Sequence, residues 1–254
     1  MPAPRRGSRK DCHTAHVDPS AELRPCEPLR VIRMGQRAER SRQDEAGAKE
    51  FPVVPAINDL ARLRDAAASC KVCPFSAHAT QTIFGEGPAS ARVLLVGEQP
   101  GDQEDRVGRP FVGPAGAVLD RALAEAGVDR ALCYVTNAVK HFKWEPRGKR
   151  RLHQKPSGRD IEVCRLWLES ELRSVQPALL VCLGSTAVTS IFGAEVKVMR
   201  DRGGWRISRY GPETLITVHP SSVLRVLDPD LKQKAYADFV ADLTLIRPKL
   251  AELQ

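Results

Sequence analysis

Four short, unbroken apolar runs constrain the fold of this chain more than any other feature. They lie at 92–97, 134–139, 178–184 and 214–219. Runs without polar alternation are typical of strands buried on both faces of a parallel sheet. Stretches with helical spacing separate or follow them, at 116–126, 157–174, 185–191 and 230–246. We therefore predict the α/β class, as a three-layer α/β/α sandwich with a central four-stranded parallel sheet.

Composition divides the chain into two parts. Residues 1–50 are rich in Pro, Arg, Ser, Gly and Glu and poor in aliphatics, which predicts a disordered basic leader. Residues 51–254 are predicted to form one domain, which begins with a helix capped by Asn58 or Asp59.

The sequence has neither a membrane-length apolar run nor a secretory signal, so we expect a cytoplasmic, nucleoid-associated protein that does not bind membranes. In that compartment, suggestively spaced cysteines are better explained by metal ligation than by disulfides.

Nearly all of the net charge lies in one segment. Residues 140–159 hold eight Lys or Arg against one acid, Glu145, which is +7 of the chain's +8. A concentrated cationic loop in a near-neutral protein indicates an anionic partner, usually a polyphosphate backbone. From charge alone, His153 at the end of Lys149-Arg150-Arg151-Leu152-His153 is one more phosphate contact or a group that acts on the bound strand.

Polar and small residues lie at or just beyond the end of each predicted strand. They are Glu98-Gln99-Pro100-Gly101, Asn137, Gly184-Ser185 and His219-Pro220-Ser221. Sites in open parallel sheets lie beyond the carboxyl ends of the strands, so we predict that these residues share one site.

Several of these motifs resemble those of a known family. Gly97-Glu98-Gln99-Pro100-Gly101 and His219-Pro220-Ser221 resemble the two motifs of the uracil-DNA glycosylase superfamily, family-4 branch. The Cys70-x-x-Cys73 pair, with Cys164 downstream, resembles the iron–sulfur framework of that branch. The cationic element that ends at His153 is similar to the inserted loop of the UdgX type, whose members excise uracil and stay covalently attached to DNA through the loop histidine.

The resemblance implies three catalytic residues. His153 would attack the sugar carbon, and Glu98 would hydrogen-bond one of its ring nitrogens so that the other carries a lone pair. His219 would donate to a uracil oxygen and stabilise the leaving anion.

The substrate-binding residues are expected to be Gly97, Gln99, Asp102, Phe111 and Asn137. Phe111 would stack on the flipped base, although a core phenylalanine is the alternative. Asn137 would read the edge of uracil, although asparagine also forms turns at strand ends. Gln99 would present its side-chain amide or its backbone N–H, and Asp102 is a further carboxylate without an assigned role.

A second group of residues is expected to hold the DNA. Lys149, Arg150 and Arg151 would contact the backbone. Ser221 and Ser222 would donate to phosphate, Leu224 would wedge into the space that the base leaves, and Arg225 would lie beside it.

The resemblance further implies a [4Fe–4S] cluster held by Cys70, Cys73, His141 and Cys164. His141 stands where the family-4 pattern has a cysteine, and imidazole can ligate iron in mixed Cys/His centres. Cys133 is the competing fourth ligand, and the same donor set also suits zinc.

We thus expect a monomeric DNA-repair enzyme that acts on uracil-containing DNA, single- or double-stranded, and traps itself on the product. Two alternatives stay open. In one, water hydrolyses the bond and the enzyme turns over. In the other, the protein is a non-catalytic nucleic-acid-binding module with a zinc knuckle.

Overall fold

The computed structural model describes Val54 and residues 59–253 of the chain. The predicted leader at 1–50 lies outside the described residues. Seven strands are present in the described part: β1 (Val93–Gly97), β2 (Cys133–Asn137), β3 (Trp144–Arg147), β4 (Arg150–His153), β5 (Leu179–Leu183), β6 (Gly204–Ile207) and β7 (Glu213–Thr217).

Five of these strands form the central sheet, in the order β2-β1-β5-β7-β6. The four predicted strands pair in parallel, with Gly97 beside Asn137 at the carboxyl ends of β1 and β2. The α/β class is therefore confirmed. The sequence analysis missed β6, which pairs antiparallel with β7 at the edge of the sheet. Its residues are half-buried or exposed, so it lacks the apolar run that marks the other strands.

Helices flank the sheet. They are α1 (Leu60–Ala68), α2 (Asp102–Val107), α3 (Pro114–Glu125), α4 (Gly158–Val175), α5 (Ser185–Phe192), α6 (Val198–Asp201), α7 (Pro220–Leu224), α8 (Pro229–Thr244) and α9 (Ile246–Glu252). Asp59 caps α1 by accepting from the N–H groups of Ala61 and Arg62, as one of the two predicted caps. No helix of the described residues is long and apolar enough to cross a membrane.

The two faces of the sheet explain why its strands are apolar throughout. Leu95 and Val181 face a core layer completed by α3 and α8. Their chain neighbours Leu94 and Leu180 face the opposite layer, completed by α4 and α5. Successive strand residues point to opposite faces, so a strand covered on both sides has no position for a solvated side chain.

The cationic segment forms a β-hairpin apart from the main sheet. Strands β3 and β4 pair antiparallel, with Arg147 opposite Arg150 and Trp144 opposite His153. The turn between them contains Gly148, whose φ of 59° lies in the left-handed region that glycine adopts without strain. The hairpin thus carries His153 on its returning strand.

Candidate active site

A cleft of about 950 Å³ opens at the carboxyl ends of the parallel strands. It brings together most of the residues singled out in the sequence: Glu98, Gln99, Phe111, Asn137, His153, Gly184, Ser185, His219, Ser221, Ser222 and Arg225. The strand-end residues therefore line one cleft.

Glu98 and His153 are in direct contact in this cleft. Nε2 of His153 lies 3.2 Å from Oε1 of Glu98. The other carboxylate oxygen, Oε2, accepts a hydrogen bond of 2.8 Å from the hydroxyl of Thr186. Burial alone would raise the pKa of Glu98, but the hydrogen bonds from His153 and Thr186 outweigh it and keep the pKa below its usual value. The carboxylate is thus held ionised beside the imidazole.

Thr186 is a residue of this site that the sequence analysis missed. It lies in the first turn of α5, directly after the strand-end residues Gly184 and Ser185. The sequence offered one signal for Thr186, its position directly after Gly184-Ser185. A threonine within a helix usually has no functional role.

His219 is held as a neutral imidazole with a defined tautomer. The backbone N–H of Ser221 lies 3.2 Å from Nδ1, and a backbone N–H can only donate. Nδ1 therefore carries a lone pair, and the ring proton lies on Nε2. Burial lowers the pKa of His219 to about 4, so the ring is uncharged at neutral pH.

Phe111 lies against His219 in a stacked arrangement, with 6.2 Å between ring centroids and 29° between planes. Its φ of 56° is unusual for a residue with a side chain. Gly116 allows this conformation, because a Cβ there would lie 1.8 Å from the carbonyl oxygen of Phe111. The ring belongs to the core cluster and also lines the cleft, so the two interpretations of Phe111 are compatible.

Gly97 provides the space between two other site residues. A Cβ at this position would lie 2.4 Å from Oδ1 of Asn137 and 2.5 Å from Cζ of Phe111. Asn137 is 3% exposed and faces the cleft from the end of β2. The absence of a side chain at Gly97 therefore lets the carboxamide and the aromatic ring approach each other.

The side chain of Gln99 is used within the protein. Its Nε2 donates to the carbonyls of Lys143 and Gln154, at 3.3 and 2.9 Å, and its Oε1 accepts from the N–H of Lys143 at 3.0 Å. These bonds join the two ends of the hairpin to the strand-end motif. The side-chain amide of Gln99 is therefore already bonded within the protein. Of the two predicted contacts with a base, the one through the backbone N–H remains available.

Arg151 and Asp102 have partners within the protein. The guanidinium of Arg151 donates to the carboxylates of Asp102 and Asp105, and it lies over the rings of Phe142 and Trp144. The side chain of Arg151 is 13% exposed and that of Asp105 is fully buried. A buried carboxylate needs a partner, so Arg151 clamps the hairpin onto α2, and Asp102 is part of that clamp.

The remaining predicted DNA contacts divide between the hairpin tip and α7. Lys149 and Arg150 are exposed at the tip. Leu224, at the end of α7, is 37% exposed. The hydroxyl of Ser221 accepts from Arg225 at 2.9 Å, and that of Ser222 donates to the carbonyl of His219 at 2.7 Å. The serine hydroxyls thus stabilise the short helix that carries Leu224.

The cysteines predicted as ligands gather between α1, α4 and the end of β2. Sγ of Cys73 lies 3.3 Å from Nδ1 of His141, and Cys164 belongs to the same small core cluster as Cys73. The indole N–H of Trp167 donates to Sγ of Cys70. Burial, with the neighbouring Cys164 second, raises the pKa of the Cys73 thiol to about 12.

Cys133 lies elsewhere. It packs into the core layer beneath α3, and its thiol donates to the carbonyl of Asp129. Of the two candidates for the fourth ligand, only His141 contacts one of the predicted cysteines. Among the described residues, however, no group of three or more His, Cys, Asp or Glu side chains is arranged to hold a metal ion.

The fold and the cleft define an α/β protein with a site at the carboxyl ends of its parallel strands. Comparison with known proteins identifies the family. Residues 84–243 match the uracil DNA glycosylase superfamily, so the chain belongs to this superfamily. Its relatives include a type-4 uracil-DNA glycosylase of Thermotoga maritima, 33% identical over 170 residues, which are 66% of this chain and 85% of the relative. A type-4 uracil-DNA glycosylase of Pyrobaculum aerophilum is 33% identical over 174 residues, with the same coverage. A type-5 uracil-DNA glycosylase of that organism is 31% identical over 153 residues, or 53% of this chain and 63% of that protein.

Proposed function

We propose that this protein excises uracil from DNA and then bonds covalently, through His153, to C1′ of the abasic deoxyribose, as in the UdgX type. The excision step is supported by the type-4 relatives and by the residues that line the cleft. The covalent step depends on one observation above all, the 3.2 Å contact between His153 and Glu98.

The base would bind between Phe111, Asn137 and His219. Heterolysis of the glycosidic bond leaves negative charge on the base, and a donor aimed at a uracil oxygen stabilises that charge. The Nε2–H of His219 is such a donor, since the Ser221 N–H occupies the other ring nitrogen. A neutral donor suffices because its hydrogen bond strengthens as charge develops.

The sugar would react with His153. The bond between C1′ and the uracil nitrogen breaks, and its electron pair leaves with the base, which takes a proton from solvent. An unprotonated ring nitrogen of His153 supplies the pair for the new bond to C1′, and the ring proton passes to Glu98. Thr186 would orient the carboxylate for this transfer through its bond to Oε2. With the imidazole in the position that water needs, the adduct would resist hydrolysis.

DNA would dock across the hairpin tip and α7. Lys149 and Arg150 are the exposed cations of the tip, and Leu224 is the exposed apolar side chain of α7. Cations attract the phosphate backbone, whereas an apolar wedge offsets the cost of removing a base from its stack. Arg225, beside Ser221, completes this surface.

We further propose that Cys70, Cys73, His141 and Cys164 hold a [4Fe–4S] cluster. The gathering of these side chains between α1, α4 and the end of β2 supports this donor set. Ligands of a cluster bind separate irons, so they need not converge on a single point as the ligands of one ion do. The bound group would act structurally, joining α1 and α4 to the end of β2. Absorbance near 400 nm, with iron and sulfide analysis of the purified protein, tests this assignment.

A denaturing gel of the protein with a uracil-containing oligonucleotide tests the function. We expect a shifted band that survives heating, formed by the wild-type protein and lost in His153→Ser. His78→Ser, the same substitution at an exposed histidine outside the cleft lining, is the matched control and should still form the band. Uracil release without a shifted band would refute the covalent step and favour conventional hydrolysis. No uracil release would refute the glycosylase assignment and favour a nucleic-acid-binding module.

A further inference from the structure

A fully buried ion pair lies directly behind the base-reading residue Asn137. Nζ of Lys140 is 2.6 Å from Oε2 of Glu171, and the two side chains are 1% and 0% exposed. Such pairs contribute little net stability, because the cost of removing two charges from water offsets their attraction. A lysine in this position therefore suggests a purpose other than stability.

The ammonium of Lys140 holds the end of strand β2. Besides Glu171, it donates to the carbonyl oxygen of Asn137 at 2.8 Å and to the hydroxyl of Thr136 at 2.6 Å. The side chain thus turns back on the two strand residues that precede the bend. The Asn137 carbonyl receives a charge-assisted hydrogen bond at the point where strand pairing ends.

Glu171 anchors this arrangement to α4. Its carboxylate also accepts from the N–H of Gly85 at 2.8 Å, from the hydroxyl of Tyr134 at 3.2 Å and from the hydroxyl of Thr136. A carboxylate with this many donors has little freedom to move. Lys140 is therefore fixed from the far side, and through it the Asn137 peptide.

Asn137 needs such support because of its place in the sheet. Strand β2 is an edge strand, so in the sheet Asn137 has Gly97 of β1 as its one neighbour. Gly97 has no side chain to pack against the carboxamide. The ring of Phe111 lies near the carboxamide in the cleft, and Lys140 holds the peptide that carries it.

We propose that the Lys140–Glu171 pair is a positioning element that sets the direction of the Asn137 carboxamide and so the recognition of the flipped base. This inference rests on the proposed function, since it takes Asn137 as the group that reads the base edge. Lys140 touches no substrate atom. Its effect is transmitted through the backbone of Asn137.

The test uses the full-length double variant Lys140→Met/Glu171→Gln, which removes both charges and keeps similar side-chain shapes. Uracil release is measured under single-turnover conditions, together with the melting temperature. We expect release to slow roughly 10- to 100-fold, as for other misplaced binding groups, with melting close to that of the wild type.

A double-mutant cycle with Asn137→Ala separates positioning from general stability. If the pair acts through Asn137, adding its substitutions to Asn137→Ala causes no further loss of rate. Ile246→Ala, a core truncation in α9 on the opposite face of the sheet, is the control and should lower the melting temperature without changing the rate. Additive losses, or unchanged release in the double variant, would overturn the inference while leaving the proposed function intact. A wild-type protein that releases no uracil would overturn both.

Discussion

His153 and Glu98 contact each other because their chain neighbours are also bonded. The Nε2 of Gln99 donates to the carbonyl of Gln154 at 2.9 Å, and the imidazole and carboxylate of the preceding residues lie 3.2 Å apart. The strand-end motif therefore holds both the partner of the histidine and the base of the hairpin that carries it. The relative position of the two groups is built into the backbone as well as into their own contact.

Replacing Glu98 with Gln removes the charge beside His153 and keeps the shape. The amide can no longer accept the ring proton as a carboxylate does, so we expect covalent trapping to slow by roughly 100-fold, within the range for lost acid–base groups. Densitometry of the shifted band over time measures this. Trapping at the wild-type rate would show that Glu98 does not take part in the covalent step.

Thr186→Val isolates the orienting bond to Glu98. Valine has nearly the shape of threonine but cannot donate to Oε2, which accepts from Thr186 at 2.8 Å. We expect trapping to slow about tenfold, since a neutral donor to a charged group contributes roughly 1.5 kcal/mol. Thr189→Val in the same helix is the matched control. Equal rates for Thr186→Val and the wild type would remove Thr186 from the site.

Arg151→Ala and Arg150→Ala distinguish the clamp from the DNA contact. Loss of Arg151 leaves the buried carboxylate of Asp105 without its partner, so we expect a loss of roughly 3 kcal/mol in unfolding free energy. Arg150 is exposed, so its loss should change stability by less than about 0.5 kcal/mol. It should instead reduce the salt dependence of DNA binding by about one phosphate contact. Urea titrations and binding at several salt concentrations measure the two effects, and a reversed pattern would contradict the assignment.

The stability of the protein should fall as the solution becomes mildly acidic. The pKa of His219 is about 4 in the folded protein and 6.5 ordinarily. Between these values the unfolded chain binds a proton that the folded protein does not. The contribution of His219 is therefore complete above pH 6.5 and is lost as the pH falls towards 4, by up to about 1.4 kcal/mol per pH unit.

Chemical denaturation at several pH values tests this, with His219→Gln as the comparison. The slope of the variant should be shallower in this window. Identical slopes for the two proteins would show that His219 is not held neutral by burial.

Much of the architecture follows from the sequence for simple reasons. A strand covered by helices on both faces is apolar at every position, and this signal located β1, β2, β5 and β7. Strand β6 lies at the edge of the sheet, where none of its residues is fully buried, and its sequence resembles a loop. The strand-end residues were predicted to lie together because parallel strands bring their carboxyl ends to one edge of a sheet, and they line one cleft.

The roles of Arg150 and Arg151 show what the sequence by itself left open. The run of cations determined that a charged element lies near the site, but adjacent cations in a run look alike. Folded as strand β4, the run alternates, so Arg151 and His153 share one face of the hairpin while Arg150 and Leu152 share the other. Only the tertiary structure decided which face meets Asp102, Asp105 and Glu98, because the partner carboxylates come from a distant part of the chain. The sequence determined the four parallel strands, their order along the chain and the strand-end residues, since local burial patterns encode them. The pairing of charges was decided by packing.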